Sequence, residues 1–507
     1  MPHIPRGVGI ENPRSSHSFR SMSQIEIHTT NGVYAPGKLI DPSQSLVSWN
    51  YKKQLSSSSS SSEVGTLTLT LTAGIHGQSP TKRWDDLVAG MDLLVVYVSD
   101  NGPANMRTRF IGYITDITYQ EDTGSNPTSP QRNIVIQAQD LVMGLMTELI
   151  WAAYAVDFVQ KNIAASKEFN KFYTMLSQSA ANYQQSIGSG LPLLLWLSAF
   201  LPKATSSSQL FLLTPSQATN ILMQKIMPTL FAPVVSVSNH SFSGHATWLN
   251  LIAQRFADTS QFAGALYYVQ PQDGSMYETI QPMMNAPFLE FFGDVRSADQ
   301  MADIPGLYKG TKKAITFGPD NATFNLVIRN TPYDTTSGAA GTSSTVYEKL
   351  VTTDVYLKDQ SQRNWGTTTS DVVNYFFSYP EGYMQQTGTL NALNVQYGAL
   401  VDAESVVKYG LQPLILPILG FPQSGTNAYS PSAVKAWNQT LYDWYHLNPL
   451  YIRGTATIHG NPAVRVGTRI RFPTLGLTGY AEGLQEDFVN FQSYTSQVTF
   501  SRGVYAS

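Results

Sequence analysis

The feature that most constrains the fold is a strict alternation of threonine and leucine over residues 65–72, Gly-Thr-Leu-Thr-Leu-Thr-Leu-Thr. Successive side chains of a β-strand point to opposite faces of its sheet, so this pattern predicts a half-buried strand. Asn31-Gly32 is typical of a two-residue hairpin turn, and the seven serines at 56–62 predict a flexible loop. About six or seven short strands between residues 24 and 139 therefore predict a small closed barrel or sandwich.

The pattern changes at Asp140, which can cap a helix that begins at Leu141. Helical character then continues to about residue 232. Within this block, residues 191–200 (LPLLLWLSAF) form an apolar run, but a membrane span needs about 18 or more apolar residues. The run therefore predicts a buried helix or an apolar contact surface, and no membrane span is expected.

The chain is expected to carry a β-domain at each end, with other structure inserted between them. Its parts are an N-terminal arm at 1–23, a first β-domain at 24–139, a helical insertion at 140–232, a mixed α+β domain at 233–365, and a second β-domain with a helical insertion at 366–507. Shorter predicted elements are an amphipathic helix at 247–257, largely helical stretches at 402–420 and 431–447, and strands at 372–379, 390–396, 452–458, 465–472 and 496–500.

Composition limits the possible partners. Charged residues make up 13% of the chain and hydrophobic residues 42%, so serine, threonine, asparagine and glutamine must fill the surface. Such a surface favours permanent assembly over life as a free monomer. The net charge of −3 argues against an electrostatic grip on nucleic acid or on an anionic membrane. The absence of cysteine excludes disulfides, zinc ribbons, iron–sulfur clusters and thiol nucleophiles.

No catalytic motif is found in the sequence. The eight histidines show no HExxH spacing, and no GxSxG, Walker or GxGxxG motif follows a predicted strand. Asp85 and Asp86 are adjacent and cannot flank one bond, so a helix start or turn is the better interpretation. Arg465, Arg469 and Arg471 have even spacing, which predicts one strand face suited to phosphate or to an acidic partner subunit. We therefore expect a protein that is not an enzyme and holds no cofactor or metal.

A set of short motifs occurs in order along nearly the whole chain. They are Val47-Ser48-Trp49-Asn50-Tyr51; Trp84-Asp85-Asp86-Leu87 with Met91-Asp92-Leu93; Phe110-Ile111-Gly112-Tyr113-Ile114; Ala138-Gln139-Asp140-Leu141; Pro287-Phe288-Leu289-Glu290-Phe291; Val327-Ile328-Arg329-Asn330-Thr331-Pro332-Tyr333-Asp334; and Gly454 to Pro462 with Gly467 and Ser501-Arg502-Gly503. This ordered set resembles the baseplate hub proteins of contractile-tail bacteriophages, which are similar to proteins of related injection machines and to tail-tip proteins of other tailed phages.

The resemblance implies a fold class and a set of structural positions. The fold class is α+β and β-rich, with two similar small β-barrel domains and helical and mixed α/β insertions between them. The positions that match the family are Trp49, Trp84, Asp92, Gly112, Asp140, Arg329, Pro332, Gly460, Arg502 and Gly503. The chain departs from the family pattern at Gln139, where a small residue is usual, and at Glu486-Asp487-Phe488, where a histidine is common.

The resemblance also implies a function. The chain would be a structural virion protein at the distal end of the tail, a homotrimeric hub that joins the sixfold tail tube to the threefold central spike. Three chains with two barrels each would form a pseudo-sixfold ring and line the channel for DNA ejection, without sequence recognition. Its partners would be a tail-tube or distal tail protein, the spike, baseplate wedge proteins and a tape-measure protein. The alternatives are a tail-associated peptidoglycan hydrolase and a tail-tip protein that binds host-surface glycans.

Overall fold

The computed structural model describes most of the two ends of the chain and part of its middle. The described residues are 21–29, 31–55, 64–78, 82–122, 131–147, 214–226, 251–257, 265–266, 275–284, 287–309, 311, 313–333, 350–356, 360–380, 398–418, 420–421, 423–424, 428–429 and 431–505. The predictions for residues 1–20 of the arm, the serine loop at 56–62, most of the helical insertion with its apolar run at 191–200, and the strand at 390–396 lie outside these residues.

The N-terminal β-structure consists of seven strands. They are β1 (Met22–Thr29), β2 (Gly32–Tyr34), β3 (Leu46–Gln54), β4 (Thr66–Thr72), β5 (Leu93–Ser99), β6 (Arg107–Asp122) and β7 (Gln131–Asp140). The leucines of β4 are buried while its threonines are exposed or half-buried, as the alternation predicts. A short 3-10 helix at Trp84–Asp86 occupies the place predicted for a helix start or turn.

The C-terminal β-structure draws its strands from two separate stretches of chain. They are β12 (Thr352–Asp354), β13 (Gln360–Gly366), β20 (Ile452–His459), β21 (Arg469–Phe472), β22 (Leu477–Val489) and β23 (Ser493–Tyr505). The paired strands of this part therefore begin at Thr352, ahead of the predicted boundary at 366. The segment QSQRNWG of β13 is polar and has no alternation of apolar residues. The sequence pattern therefore does not predict a strand there.

Both ends of the chain belong to one sheet of 13 strands. The order is β13-β20-β23-β22-β3-β4-β7-β6-β5-β1-β2, and β21 pairs with both β22 and β12. The β-rich character is thus confirmed. The two predicted β-domains meet edge to edge at β3 and β22, with the large aromatic side chains of Trp49, Trp84 and Phe110 buried in the adjoining core.

The middle of the chain adds a small sheet that packs against both ends. Its strands are β8 (Ile252–Phe256), β10 (Leu289–Arg296) and β11 (Thr323–Asn330). β11 is the central strand, and it pairs antiparallel with β10 and parallel with β8. All eight residues of β10 are buried, so this sheet is covered on both faces.

The remaining elements are α-helices of 5 to 15 residues and short strands. The helices are α1 (Met143–Thr147), α2 (Pro215–Ile221), α3 (Met276–Met283), α4 (Ala403–Tyr409) and α5 (Pro431–Tyr445), and a π-helical turn, Leu222–Ile226, continues α2. The other strands are β9 (Ala265–Leu266), β14 (Tyr375–Pro380), β15 (Leu400–Val401), β16 (Pro413–Ile418), β17 (Gly420–Phe421), β18 (Gln423–Ser424) and β19 (Ala428–Tyr429). Helix α5 fits the helix predicted over 431–447.

Two predicted helices are corrected by the structure. The described part of 247–257 contains strand β8, whose apolar residues are buried next to β11; a fully buried strand and a buried helix give similar apolar runs. The stretch 402–420 holds only the two-turn helix α4 before it becomes strand β16, Pro-Leu-Ile-Leu-Pro-Ile. Two prolines in six residues prevent a helix there, because proline lacks the N–H that a helix needs.

Candidate assembly interface

The two ends of the sheet repeat one topology. We call β1 and β3–β7 the first unit, and β12, β13 and β20–β23 the second unit. Along the sheet the first unit runs β3-β4-β7-β6-β5-β1, and the second runs β13-β20-β23-β22-β21-β12. In both units these six strands also follow the same order along the chain. One pairing differs in direction, since β1 is antiparallel to β5 whereas β12 is parallel to β21.

Irregularities of the ladders fix the residue-by-residue equivalence of the units. The β3–β4 ladder shifts between Leu46 and Ser48, and the β13–β20 ladder shifts at the matching place, between Gln360 and Gln362. The β6–β7 ladder skips Thr115, and the β22–β23 ladder skips Glu482. With these anchors aligned, residues 67–72 (LTLTLT) match 454–459 (GTATIH), so a weaker copy of the alternation recurs in the second unit.

The units are joined by a continuous antiparallel ladder, which we call the junction. It runs from Ser48 opposite Val489 to Gln54 opposite Gly483. The rings of Trp49 and Phe488 stack with centroids 5.5 Å apart, and Asn50 Nδ2 donates to Asp487 Oδ1 at 2.5 Å. Strand β22 is long enough to pair with β21 through its first residues and with β3 through its last ones.

A buried ion pair ties the two units together behind the junction. Arg109 of β6 donates through Nε to Glu486 of β22, and both side chains are almost fully buried. The same guanidinium donates through Nη1 to the carbonyl of Val464 at 2.9 Å. Glu486 also accepts from Tyr494 at 2.7 Å and from Ser496 at 3.0 Å. A buried charge needs this degree of compensation, because unpaired burial is costly.

Arg465, Arg469 and Arg471, which are separated by even numbers of residues, do not form the single strand face predicted for them. Arg465 precedes β21, is buried, and donates to the carbonyl of Thr108 at 2.9 Å. Burial, together with the nearby positive charge of Arg109, lowers the pKa of Arg465 to about 10. Arg469 and Arg471 do lie on β21, but they bind Thr352 at 2.8 Å and Asp354 at 2.6 Å on the neighbouring strand β12. The prediction of one strand face was wrong because the strand is only four residues long.

Two arginines of the middle sheet hold the turn before β21. Arg329 donates to Glu290 at 2.9 Å, to Asp303 at 2.9 Å and to the carbonyl of Gly467 at 2.6 Å. Arg296 donates to the same Asp303 at 3.3 Å and to the carbonyl next to Gly467, that of Val466, at 3.3 Å. The middle sheet is thus bound to the second unit by buried, charge-assisted hydrogen bonds.

Arg502 is enclosed by aromatic side chains. Its guanidinium lies 3.7 Å from the ring centroid of Tyr333 and 5.2 Å from those of Tyr445 and Tyr451. It also donates to the carbonyl of Trp444 at 2.7 Å. This cluster joins the end of β23 to helix α5 and to the end of β11 through cation–π contacts and one hydrogen bond.

Counted along the chain from the matched irregularity, Asp140 of the first unit corresponds to Arg502 of the second, where the β22–β23 ladder shifts again. Asp140 ends β7, and helix α1 begins at Met143, two residues later than the predicted start at Leu141. Its carboxylate accepts from Lys53 Nζ at 2.7 Å and from the backbone N–H of Gly65 at 2.9 Å and of Val142 at 3.0 Å. Burial lowers the pKa of Lys53, but Asp140, Tyr51 and Asp294 together more than reverse this, so the pKa lies above its ordinary value.

The other positions that match the family are structural and dispersed. Trp84 is fully buried and makes an edge contact with Tyr34, and the carboxylate of Asp92 accepts the backbone N–H of Ala89 at 2.7 Å. Gly112 and Gly460 lie where a Cβ atom would collide, 2.1 Å from the carbonyl oxygen of Gln139 and 2.0 Å from the ring of Tyr494. A Cβ atom at Gly503 would lie 2.7 Å from the carbonyl oxygen of Ile452. Pro332 is buried, as are its neighbours Thr331 and Tyr333.

Sequence reasoning missed the buried charged residues that hold the parts together. These are Lys53, Arg109, Asp294, Arg296, Asp303 and Glu486. Of these, only Glu486 appears in the sequence analysis, as a departure from the family pattern. A signal was present, because only 13% of the chain is charged and several of these residues stand inside strands of apolar residues. Within the described ranges, no group of three histidine, aspartate or glutamate side chains could hold a metal ion. No helix found in that part of the chain is long and apolar enough to cross a membrane.

Comparison with known proteins gives structural matches alone. No family model matches the chain, and no curated protein does. A tail protein from Neisseria meningitidis aligns with a TM-score of 0.42 and 10% identity over 95% of this chain and 96% of its own. The 43 kDa tail protein of prophage MuSo2 from Shewanella oneidensis aligns with a TM-score of 0.42 and 9% identity over 96% and 99%.

A third alignment involves a component of the E. coli type VI secretion system, described as structurally similar to bacteriophage T4 tail proteins. It has a TM-score of 0.38 and 8% identity over 96% of this chain and 77% of the other. The first two of these structures are described as tail proteins, and all three TM-scores are below 0.5.

Proposed function

We propose that the chain is a structural protein of a phage tail, a trimeric baseplate hub that joins the sixfold tail tube to the threefold central spike. The single observation that carries this proposal is the repeated unit: one chain holds two six-strand units of the same topology, joined edge to edge. Three such chains present six similar units, which lets a threefold assembly mate with a sixfold one.

The proposal extends to the form of the units and of the channel. Each unit is a curved, barrel-like sheet; in the first one, Trp49 Nε1 on β3 donates to Ser23 Oγ on β1 at 2.8 Å, although four strands separate them along the sheet. Six units around an axis would line a pore for the passage of DNA. A net charge of −3 suits such a pore, because a basic wall would retain DNA by counterion release.

The buried ion pairs support the same role. A ring must keep its units at fixed spacing, and the pair Arg109–Glu486 fixes the second unit against the first. The middle sheet adds a second attachment through Arg329 and Gly467. The partners we propose are the tail tube or a distal tail protein, the central spike, wedge proteins and the tape-measure protein, at the distal end of the tail of the virion.

The proposal is tested by mass and by image. Native mass spectrometry or mass photometry of the purified chain should show a species of about 167 kDa, three times the 55.8 kDa of one chain. Electron micrographs of that species, averaged without imposed symmetry, should show six lobes around a pore. A protein that stays monomeric at high concentration, alone and with tube and spike proteins, would overturn the proposal, as would a trimer with three lobes.

A further inference from the structure

We propose that residues 118–122 of β6 bind strand β13 of a second copy of this chain as an antiparallel β-ladder, in a register set by the junction. This inference rests on the proposed trimer and names the surface that builds it. It follows from the repeated topology, because the junction joins β3 of the first unit to β22 of the second. The strands equivalent to these two are β13 and β6, and no ladder joins them within the chain as described.

Both equivalent strands have an open edge. Among the described residues, β13 pairs with β20 alone and stands at the end of the sheet. On β6, the ladder with β5 ends at Tyr113, so in the part of the chain that the structure describes residues 116–122 pair with β7 on one side only. The equivalent residues of β22, 483–489, are the ones that β3 covers in the junction. A long open edge of this kind is a template for another strand.

The register follows from the aligned ladder irregularities. Thr115 matches Glu482, so Tyr119 matches Glu486 and Glu121 matches Phe488. The shift in β13 matches the shift in β3, so Arg363 matches Trp49 and Trp365 matches Tyr51. Transferring the junction pairs gives five pairs across the interface, which are Gln362 with Asp122, Arg363 with Glu121, Asn364 with Gln120, Trp365 with Tyr119, and Gly366 with Thr118.

The side chains brought together in this register are complementary. Arg363 meets Glu121, a pair of opposite charges, where the junction has the stacked rings of Trp49 and Phe488. The rings of Trp365 and Tyr119 face each other, and an aromatic cross-strand pair is favourable. Both rings are half-buried in the single chain, whereas their equivalents in the junction are buried. Pairing would cover them in the same way.

The interface closes into a ring. Each copy offers one β13 edge and one β6 edge, so the contact is head-to-tail, and such contacts give rings when the rotation closes. Within the chain, β3 of the first unit pairs with β22 of the second unit in the same antiparallel direction as we propose for β13 and β6. Six units joined by alternating junctions and interfaces therefore follow one path around the axis, and three chains complete it.

The test uses cysteine pairs in the full-length chain, which has no cysteine of its own. The double variant E121C/R363C should, on mild oxidation, give covalent dimers and trimers and nothing larger. The reaction control is N50C/D487C, which joins facing residues of the junction and should give a cross-linked monomer. The register control is E121C/G366C, whose cysteines lie about 10 Å apart in the proposed register and should cross-link at least tenfold more slowly.

Each outcome of this test decides a different claim. A trimer of wild-type chains without cross-linking of E121C/R363C overturns the edge pairing and leaves the proposed function standing. Cross-linked chains that grow past three support the edge pairing and overturn the trimer. Equal cross-linking of E121C/G366C overturns the register.

A charge variant gives independent evidence. R363E should weaken association about fivefold per interface, because glutamate then faces glutamate, whereas R363K should leave it within about twofold. Equal trimer stability for R363E and R363K would contradict the pairing of residue 363 with Glu121.

Discussion

Replacing Glu486 by glutamine is the sharpest test of how the two units are held together. The substitution keeps the size of the side chain and removes one negative charge from the interior. In the wild type, that charge is bound by Arg109, by Tyr494 at 2.7 Å and by Ser496 at 3.0 Å. After the substitution, Arg109 stays buried without its counter-charge, with the buried guanidinium of Arg465 nearby.

The magnitude follows from this geometry. Removing one partner of a buried ion pair costs about 3–5 kcal/mol, because the other charge remains uncompensated. Glu486 is 0% exposed and Arg109 1% exposed, so solvent cannot replace the lost partner. We expect E486Q to lower the free energy of unfolding by about 3–5 kcal/mol. Replacing both partners together, as in R109M/E486L, should recover most of this loss, since apolar residues leave no buried charge.

The assay is urea denaturation followed by tryptophan fluorescence, since Trp49 stacks on Phe488 within the junction. The matched control is D487N, one residue along the same strand, where Asp487 is exposed and binds Asn50. The control should cost less than about 1 kcal/mol. The reasoning is refuted if E486Q and D487N cost the same, or if R109M/E486L is no more stable than E486Q.

Three further predictions concern single residues. Gly467 has a φ of +76° and a Cβ there would lie 3.1 Å from Arg329, so G467A should cost about 1–2 kcal/mol in thermal unfolding, while G366A, which meets open space, should cost less than about 0.5. Burial raises the pKa of Asp294, but the charges of Arg296, Arg465 and Lys53 lower it by a larger amount. The pKa of Asp294 therefore lies below its ordinary value of 3.8. Its carboxylate therefore stabilises the fold above that value and loses the effect as pH falls through the lower pKa, so D294N should flatten the acid side of a pH–stability curve. W49A removes a buried indole from the junction and should cost about 3–5 kcal/mol by urea denaturation, against less than about 1 for the exposed F491A.

The strands with clear alternation could be predicted from the sequence alone. Strand β4 is predicted in this way, because its leucines are buried and its threonines are not, and the closing strands predicted at 452–458 and 496–500 lie within β20 and β23. Helix α5 lies within the stretch 431–447 that the sequence predicts to be largely helical. These elements are determined by the pattern of apolar and polar residues within a short stretch of chain, which can be seen in the sequence.

The junction could not be predicted, because it depends on contacts between distant parts of the chain. Asn50 and Asp487 are 437 residues apart in sequence, and no local sequence pattern indicates that they pair. The polar strand β13 was missed for a related reason: it stands at the edge of the sheet, where little is buried and no alternation is required. The sequence predicts a helix where strand β8 lies, because burial on both faces of the strand removes the alternation of apolar and polar residues.

The repeated units show which properties a ring of this kind must preserve. Two of their ladder irregularities coincide, yet matched positions differ in chemistry, as with Asp140 bound to Lys53 and Arg502 enclosed by aromatic rings. A β-ladder is made by backbone groups, so the side chains of the two units can diverge without breaking the edge pairing. Under the proposed function, this divergence is useful. A sixfold partner would contact six similar backbones, whereas a threefold partner would distinguish the two kinds of unit by their side chains.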